Sequence, residues 1–326
     1  MSVFDPVSTP GTAGSRSNRD GAAGSLGNRG GAAGRLADPG GVVHSLVAEG
    51  HAAQTLPTVG STARQAGAWA SATERWLAPA TDTVMDLAAV EAGQRVLIVE
   101  GGAGRAAIQA ARRVGPAGGV LTTDRSAALA SQAARNAADA GLPGIEALMA
   151  VAESLALEPA SFDAALSCIA LAHSAAPAAM LAGQVAALRP GGYLGALVYA
   201  TAPECPAVSA PYTAIRARAA AEAMETLRPD PFALGLPGRI EALFSMAGLV
   251  GVQSVRIPAP LVFATAVECL QFQQDNSAAL QEMLAGLAAP ARHAAFTDAA
   301  EALAEFETDG RFVAPCTLIA AVGRKC

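Results

Sequence analysis

The residues best placed to do chemistry gather around one turn. The apolar run Val96–Val99 passes through Glu100 into Gly101, Gly102 and Gly104, and a helical pattern begins at Arg105. Glycine there lets the backbone turn tightly and approach a ligand, and the first N–H groups of the following helix face whatever binds. Asp124 stands twenty residues after Gly104, at the end of a second strand-like run, Gly119–Asp124. A carboxylate in that place accepts both hydroxyls of an adenosine ribose. Together the two signals point to a nucleoside-type cofactor. Gly102-x-Gly104-x-x-Ala107 also reads as a dinucleotide fingerprint, so a nicotinamide cofactor is a rival at this stage.

Histidine is the natural general base near neutrality. Of His44, His51, His173 and His293, the first two fall in the N-terminal tail and His293 in a helical surface segment. His173 follows a strand-like run, where it either closes a site and acts as base or serves as a capping and packing residue. Cys168 has no His/Asp arrangement around it and reads as a small buried residue at a strand end. Trp69 and Trp76 are seven apart on one helix face, which suits both core packing and a lid over an apolar substrate. Tyr199 and Tyr212 flank the loop after a later strand, where substrates approach doubly wound sheets. Glu222 and Glu225 read as a solvated helix face. The five cysteines are odd in number and show no CxxC or Cys/His spacing, which disfavours both a disulfide framework and a metal site.

The elements that must position these residues alternate. Strands are expected at 95–100, 119–124, 145–150, 162–167 and 193–200, with helices at 105–114 and 127–140 between them. Helices are also expected at 62–77, 81–90, 206–227 and 238–247, a turn at Leu188–Gly192, and strands at 250–257 and 316–323 around a helical stretch at 265–306. Strands alternating with helices of this length pair in parallel through crossovers, giving a three-layer, doubly wound α/β sandwich. The first forty residues differ: three ten-residue Gly/Ser/Arg units start at Gly11, Gly21 and Gly31. Such a tract buries too little apolar surface to order itself, so residues 1–60 are expected to form a low-complexity tail.

The stretch Glu146–Val198 resembles class I S-adenosylmethionine-dependent methyltransferases, especially the small-molecule group around the ubiquinone and menaquinone C-methyltransferases. SFDAALS (Ser161–Ser167) is similar to that family's fourth strand, and LRPGGYL (Leu188–Leu194) to the turn into its fifth. WASATERW (Trp69–Trp76) and MDLAAVEAGQRVL (Met85–Leu97) resemble its entry helices. The likeness spans residues 62–324. It implies a Rossmann-like, seven-stranded, mostly parallel sheet with an antiparallel last strand: N-terminal helices over 61–93, a cofactor core over 94–200 and a substrate-side and C-terminal module over 201–326. It further implies S-adenosylmethionine as cofactor, touched by Glu100, Gly101, Gly102, Gly104, Asp124, Arg125, Ala152, Glu153 and Cys168. His173 would be the catalytic candidate, and Trp69, Trp76, Tyr199 and Tyr212 would face the substrate. This second half of the sheet decides against the nicotinamide reading.

The chain departs from the family at the cofactor. Ile98 stands where the first motif carries an acid, Glu100 where it carries its first glycine, and Val151 where an acid holds the adenine amine. Ile98 and Glu100, two apart on a strand, would point to the same side, so Glu100 either replaces the missing carboxylate or fills cofactor space. Three functions therefore stay open: methyl transfer to a small, rather apolar metabolite in secondary or quinone-like metabolism; a methyltransferase fold turned to cyclisation, elimination or hydrolysis; and a non-catalytic binding protein. The composition excludes other classes. Charged residues are 15% of the chain with a net charge of −6, too sparse and too acidic for a nucleic-acid binder. No run of 18 apolar residues offers a membrane span. A cytoplasmic protein is expected, and a homodimer is compatible with it.

Overall fold

The computed structural model describes residues 63–218 and 230–326. At its centre, Val96, Leu97, Ile98 and Val99 of β1 (Arg95–Val99) are all wholly buried. Successive side chains of a strand point to opposite faces, so this burial requires cover on both sides of the sheet. β2 (Gly119–Asp124) and β4 (Phe162–Cys168) flank β1 in parallel register, with Val96 opposite Val120 and Ala164. β3 (Ile145–Met149) pairs with β2, and β5 (Leu188–Tyr199) with β4. The crossovers are α2 (Arg105–Val114), α3 (Ala127–Asp139) and α4 (Pro177–Ala187).

After β5 come α5 (Pro206–Arg216), α6 (Arg239–Met246) and β6 (Leu249–Pro258). The closing strand β10 (Thr317–Lys325) inserts between β5 and β6, antiparallel to both. The sheet order is β3-β2-β1-β4-β5-β10-β6, seven strands with one antiparallel, as the resemblance implies. The region before β10 holds α7 (Ala266–Asn276), α8 (Ala278–Ala285) and α9 (Ala289–Leu303). It also holds a small sheet of β7 (Leu261–Phe263), β9 (Arg311–Ala314) and β8 (Glu307–Thr308). Strands of two to four residues leave no readable alternation, and the sequence gives no sign of this sheet.

Two expectations are corrected. The helices at 62–77 and 81–90 are one helix, α1 (Ala63–Leu87), with Pro79 inside it. Ala72, Ala80, Thr81, Val84 and Met85 form one buried face along it, and packing that face against β5 and β10 outweighs the hydrogen bond lost at proline. Thr81 and Asp82 are therefore interior helix residues, and Asp82 pairs with Arg113 of α2. The turn expected at Leu188–Gly192 is the irregular start of β5. Leu188 is fully buried opposite Phe162, and the register slips before Tyr193 pairs with Ala164. The tail expected over residues 1–60, His44, His51, and the end of the 206–227 helix with Glu222 and Glu225 lie outside the described residues.

Gly195 marks where α1 crosses the sheet. A Cβ there would lie 2.8 Å from Leu166 Cδ2 and 2.9 Å from Val84 Cγ2. Gly195→Ala should cost about 1–3 kcal/mol by overpacking. Urea denaturation checks this, and an unchanged midpoint would mean that α1 does not press on β5 there.

Candidate cofactor site

The glycine turn is built by close approach on its inner side. Gly101 donates its N–H to Thr123 O at 2.9 Å, and a Cβ on it would meet Thr122 Oγ1 at 2.2 Å. Gly104, with φ +88, starts α2 so near α3 that a Cβ would lie 2.9 Å from Ala133 Cβ. Asn136 Nδ2 donates to Ala103 O at 2.9 Å and ties α3 to the turn.

Asp124, buried at the end of β2, fastens this geometry. Its Oδ2 accepts from the Gly102 N–H at 3.0 Å and its Oδ1 from the Ser126 N–H at 2.8 Å. Ser126 in turn caps α3 by accepting from the Leu129 N–H. One carboxylate thus sets both the turn after β1 and the helix after β2. Each oxygen keeps a further lone pair for a hydroxyl.

Glu100 corrects the expectation that it continues the strand beside Ile98. It lies past the end of β1 with φ +53, a left-handed conformation that costs a non-glycine residue roughly 1–2 kcal/mol. Ile98 is fully buried in the core. The Glu100 carboxylate turns to Arg125, whose Nε lies 3.3 Å from both of its oxygens. The other end of the same guanidinium reaches both oxygens of Glu153 at 3.4 Å. Glu153 belongs to a short 3₁₀ turn, Ala152–Ser154, in which Ala152 is buried, and it also accepts from Ser174 Oγ at 2.7 Å. Arg125 therefore arches between the segments that follow β1 and β3. Val151 beside it is half exposed and offers an apolar lip in place of the family's acid.

Among the described residues, three carboxylates share this space with the Arg125 guanidinium. Burial pushes the Glu100 carboxyl above its ordinary pKa; Arg125 opposes the rise, while Asp124 and Glu153 add to it. Burial also works against ionised Glu153, but the Ser174 hydroxyl, its own backbone N–H and Arg125 outweigh it and hold that carboxyl below the ordinary value. The excess negative charge suits a ligand that brings positive charge. The residues present thus fit an adenosyl sulfonium: Asp124 for the ribose, the Gly101–Gly102 backbone beside it, and Glu100 for a cationic group.

The sheet's carboxyl edge continues into an aromatic cluster. Ile169, just after β4, has φ +68, an outlier for a β-branched residue at an edge where strained backbone is associated with function. His173 closes the 3₁₀ turn Ala170–His173 and meets Tyr199 edge-on, with ring centroids 5.9 Å apart. Tyr199 stacks on Trp76 at 6.4 Å and touches Phe232 at 5.7 Å. Phe232 meets Tyr212 edge-on at 6.4 Å, and Trp76 Nε1 donates to Ala259 O at 2.9 Å. Tyr199 and Tyr212 are thus buried and reach one another through Phe232 rather than flanking an open loop.

Burial raises the Cys168 thiol to about 11, partly offset by a hydrogen bond with Thr81, which agrees with a packed strand-end residue. Trp69 lies on α1 with its side chain outside the described residues. His293 sits on α9, apart from these groups. Sequence reasoning missed Ser174, Thr81 and Phe232, and only Ser174, adjoining His173, carried any signal. Among the described residues no cluster of His, Cys, Asp and Glu could hold a metal ion.

Because the fold raises the Glu100 pKa, its ionised form costs stability at pH above the ordinary carboxylate value, about 4.3, and that cost vanishes below it. Glu100→Gln, which copies the neutral form, should melt higher than the wild type at pH 7 and show no such gain near pH 4. A lower melting temperature at pH 7 would mean that the ion pair with Arg125 outweighs burial.

Residues 96–192 match the family model described as a methyltransferase domain. No curated protein matches the chain by sequence at a significant level. Among solved structures, the YcgJ protein of Bacillus subtilis aligns over 75% of this chain and 97% of its own, at 18% identity and a TM-score of 0.51. A methyltransferase candidate from Bacillus halodurans C-125 aligns over 75% and 98%, at 18% identity and a TM-score of 0.49. At such identity the likeness is one of fold. Residues 96–192, from β1 to the start of β5, thus match a methyltransferase domain and adopt the fold that this chain shares with YcgJ.

Proposed function

We propose that the protein transfers a methyl group from S-adenosylmethionine to a small, rather apolar metabolite, as a cytoplasmic enzyme of secondary metabolism. The observation that carries this reading is the carboxylate set around the glycine turn, Asp124 with Glu100, lying at the strand edge that continues into the cluster of His173, Tyr199, Trp76 and Phe232. S-adenosylmethionine, when bound, supplies an electrophilic methyl carbon. Asp124 accepts the ribose hydroxyls, and Glu100 neutralises positive charge on the methionine end. Trp76, Tyr199 and Phe232 exclude water and align the acceptor, which is most of what an in-line displacement asks of a protein. His173, half-buried at the cluster's edge, takes the proton when the acceptor is an oxygen or nitrogen. A cavity of about 590 Å³, lined by Ile215, Leu270, Leu284 and Phe296 together with Asp275 and Arg292, is mostly apolar and supports the apolar character of the acceptor.

One observation favours a second reading, non-methylating chemistry on the same fold. Arg125 already satisfies Glu100 and Glu153, and Ile98 and Val151 supply no carboxylate in their stead.

Titration with S-adenosylhomocysteine separates the two. Asp124→Ala should weaken its binding by roughly 1.5–3 kcal/mol, a loss of about ten- to over a hundredfold. Unchanged affinity would place the nucleoside elsewhere. Glu100→Gly should weaken S-adenosylmethionine binding if Glu100 serves the cofactor, whereas stronger binding would favour the second reading. Incubation with methyl-labelled cofactor and fractionated apolar metabolites then tests transfer itself, and failure to label any fraction despite binding would count against methylation.

A further inference from the structure

Near Tyr199 lie two thiols that the proposed chemistry does not use. Cys205 lies at the start of α5 and Cys316 just before β10; both are buried, and their Sγ atoms are 3.6 Å apart. The two segments are already held in register: Thr317 O accepts from the Ala200 N–H at 2.9 Å, Cys316 O from the Ala259 N–H at 2.7 Å, and Cys205 Sγ donates to Thr317 O at 3.2 Å. A disulfide needs its sulfurs at about 2.05 Å, so closing this gap asks for roughly 1.5 Å of side-chain movement.

We propose that Cys205 and Cys316 form an oxidation site, a dithiol that hydrogen peroxide converts into a disulfide. In the first step the Cys205 sulfur attacks a peroxide oxygen and the O–O bond breaks. The departing hydroxide takes a proton to become water, and Cys205 is left as the sulfenic acid. In the second step the Cys316 sulfur attacks Cys205 Sγ, the S–S bond forms and the S–O bond breaks. The hydroxyl leaves as a second water with the Cys316 proton. Two thiols lose two hydrogens while the peroxide is reduced to two waters.

The surroundings select this pair and its order of reaction. A hydrogen bond from Cys316 lowers the Cys205 thiol pKa against the effect of burial, and the same contact raises that of Cys316. Burial pushes Cys168 and Cys269 up to about 11 and about 12, so neither competes with Cys205 for the first step; Cys316 acts only in the second, for which its 3.6 Å contact with Cys205 Sγ places it. The bridge would fasten the start of α5, the helix that carries Tyr212, to the strand paired with Tyr199.

Treating the full chain with hydrogen peroxide tests this, in a Cys326→Ser background that removes the exposed thiol. The protein should lose two hydrogens in mass, give one linked peptide pair containing Cys205 and Cys316, and melt roughly 5 °C or more higher, reversibly with dithiothreitol. Cys205→Ser should abolish the product. Cys316→Ser should leave a Cys205 sulfenic acid that dimedone traps. Thiols that stay reduced at a dose that oxidises Cys326 of the wild type, or a bridge to any other cysteine, would overturn the assignment.

Discussion

The constraint on which the site depends is unbalanced charge in a confined place. Among the described residues, Glu100 and Glu153 pair with the Arg125 guanidinium just beyond β1 and β3, and Asp124 lies close by at the end of β2. Residues some 25 positions apart come together because the sheet order β3-β2-β1 sets three parallel strands side by side with their carboxyl ends level. Asp124 is fixed by two backbone N–H groups and cannot turn away. Arg125 is partly exposed, and its contacts with Glu100 and Glu153 are long, so screening by water weakens them and leaves the arch able to open. A buried anion anchors the site while a loosely held cation covers it.

Where the sequence was legible, one physical signal dominated. The apolar runs of β1 and β2 and the glycines between β1 and α2 admit few other folds, and Asp124 falls at the end of β2, as its run of residues indicates. Legibility failed where tertiary packing overrode a local rule. Pro79 signals a helix break, yet α1 runs through it to bury one continuous face. LRPGG signals a turn, yet Leu188 is drawn into the sheet opposite Phe162. Glu100 reads as strand in the sequence because its left-handed backbone conformation leaves no mark in residue type. The arch through Arg125 to Glu153 joins two crossovers, and no spacing rule reports such a contact.

The aromatic cluster completes the division of labour. Polar groups hold the left part of the sheet edge, around β1 to β3, while Trp76, Tyr199, Phe232 and Tyr212 line the region after β5. Burial raises the Tyr199 hydroxyl well above its ordinary pKa, so it stays neutral and serves as surface rather than as base. His173 stands between the two regions, and the strained Ile169 supports the turn that presents it.

The central claim is that the turn's excess negative charge recognises a cationic ligand. S-adenosylmethionine and S-adenosylhomocysteine differ by one methyl group and one positive charge, so comparing their affinities by titration calorimetry in low salt isolates that term. S-adenosylmethionine should bind more tightly, and its advantage should shrink as salt is added. Equal affinities, or a preference for S-adenosylhomocysteine that salt does not change, would contradict it.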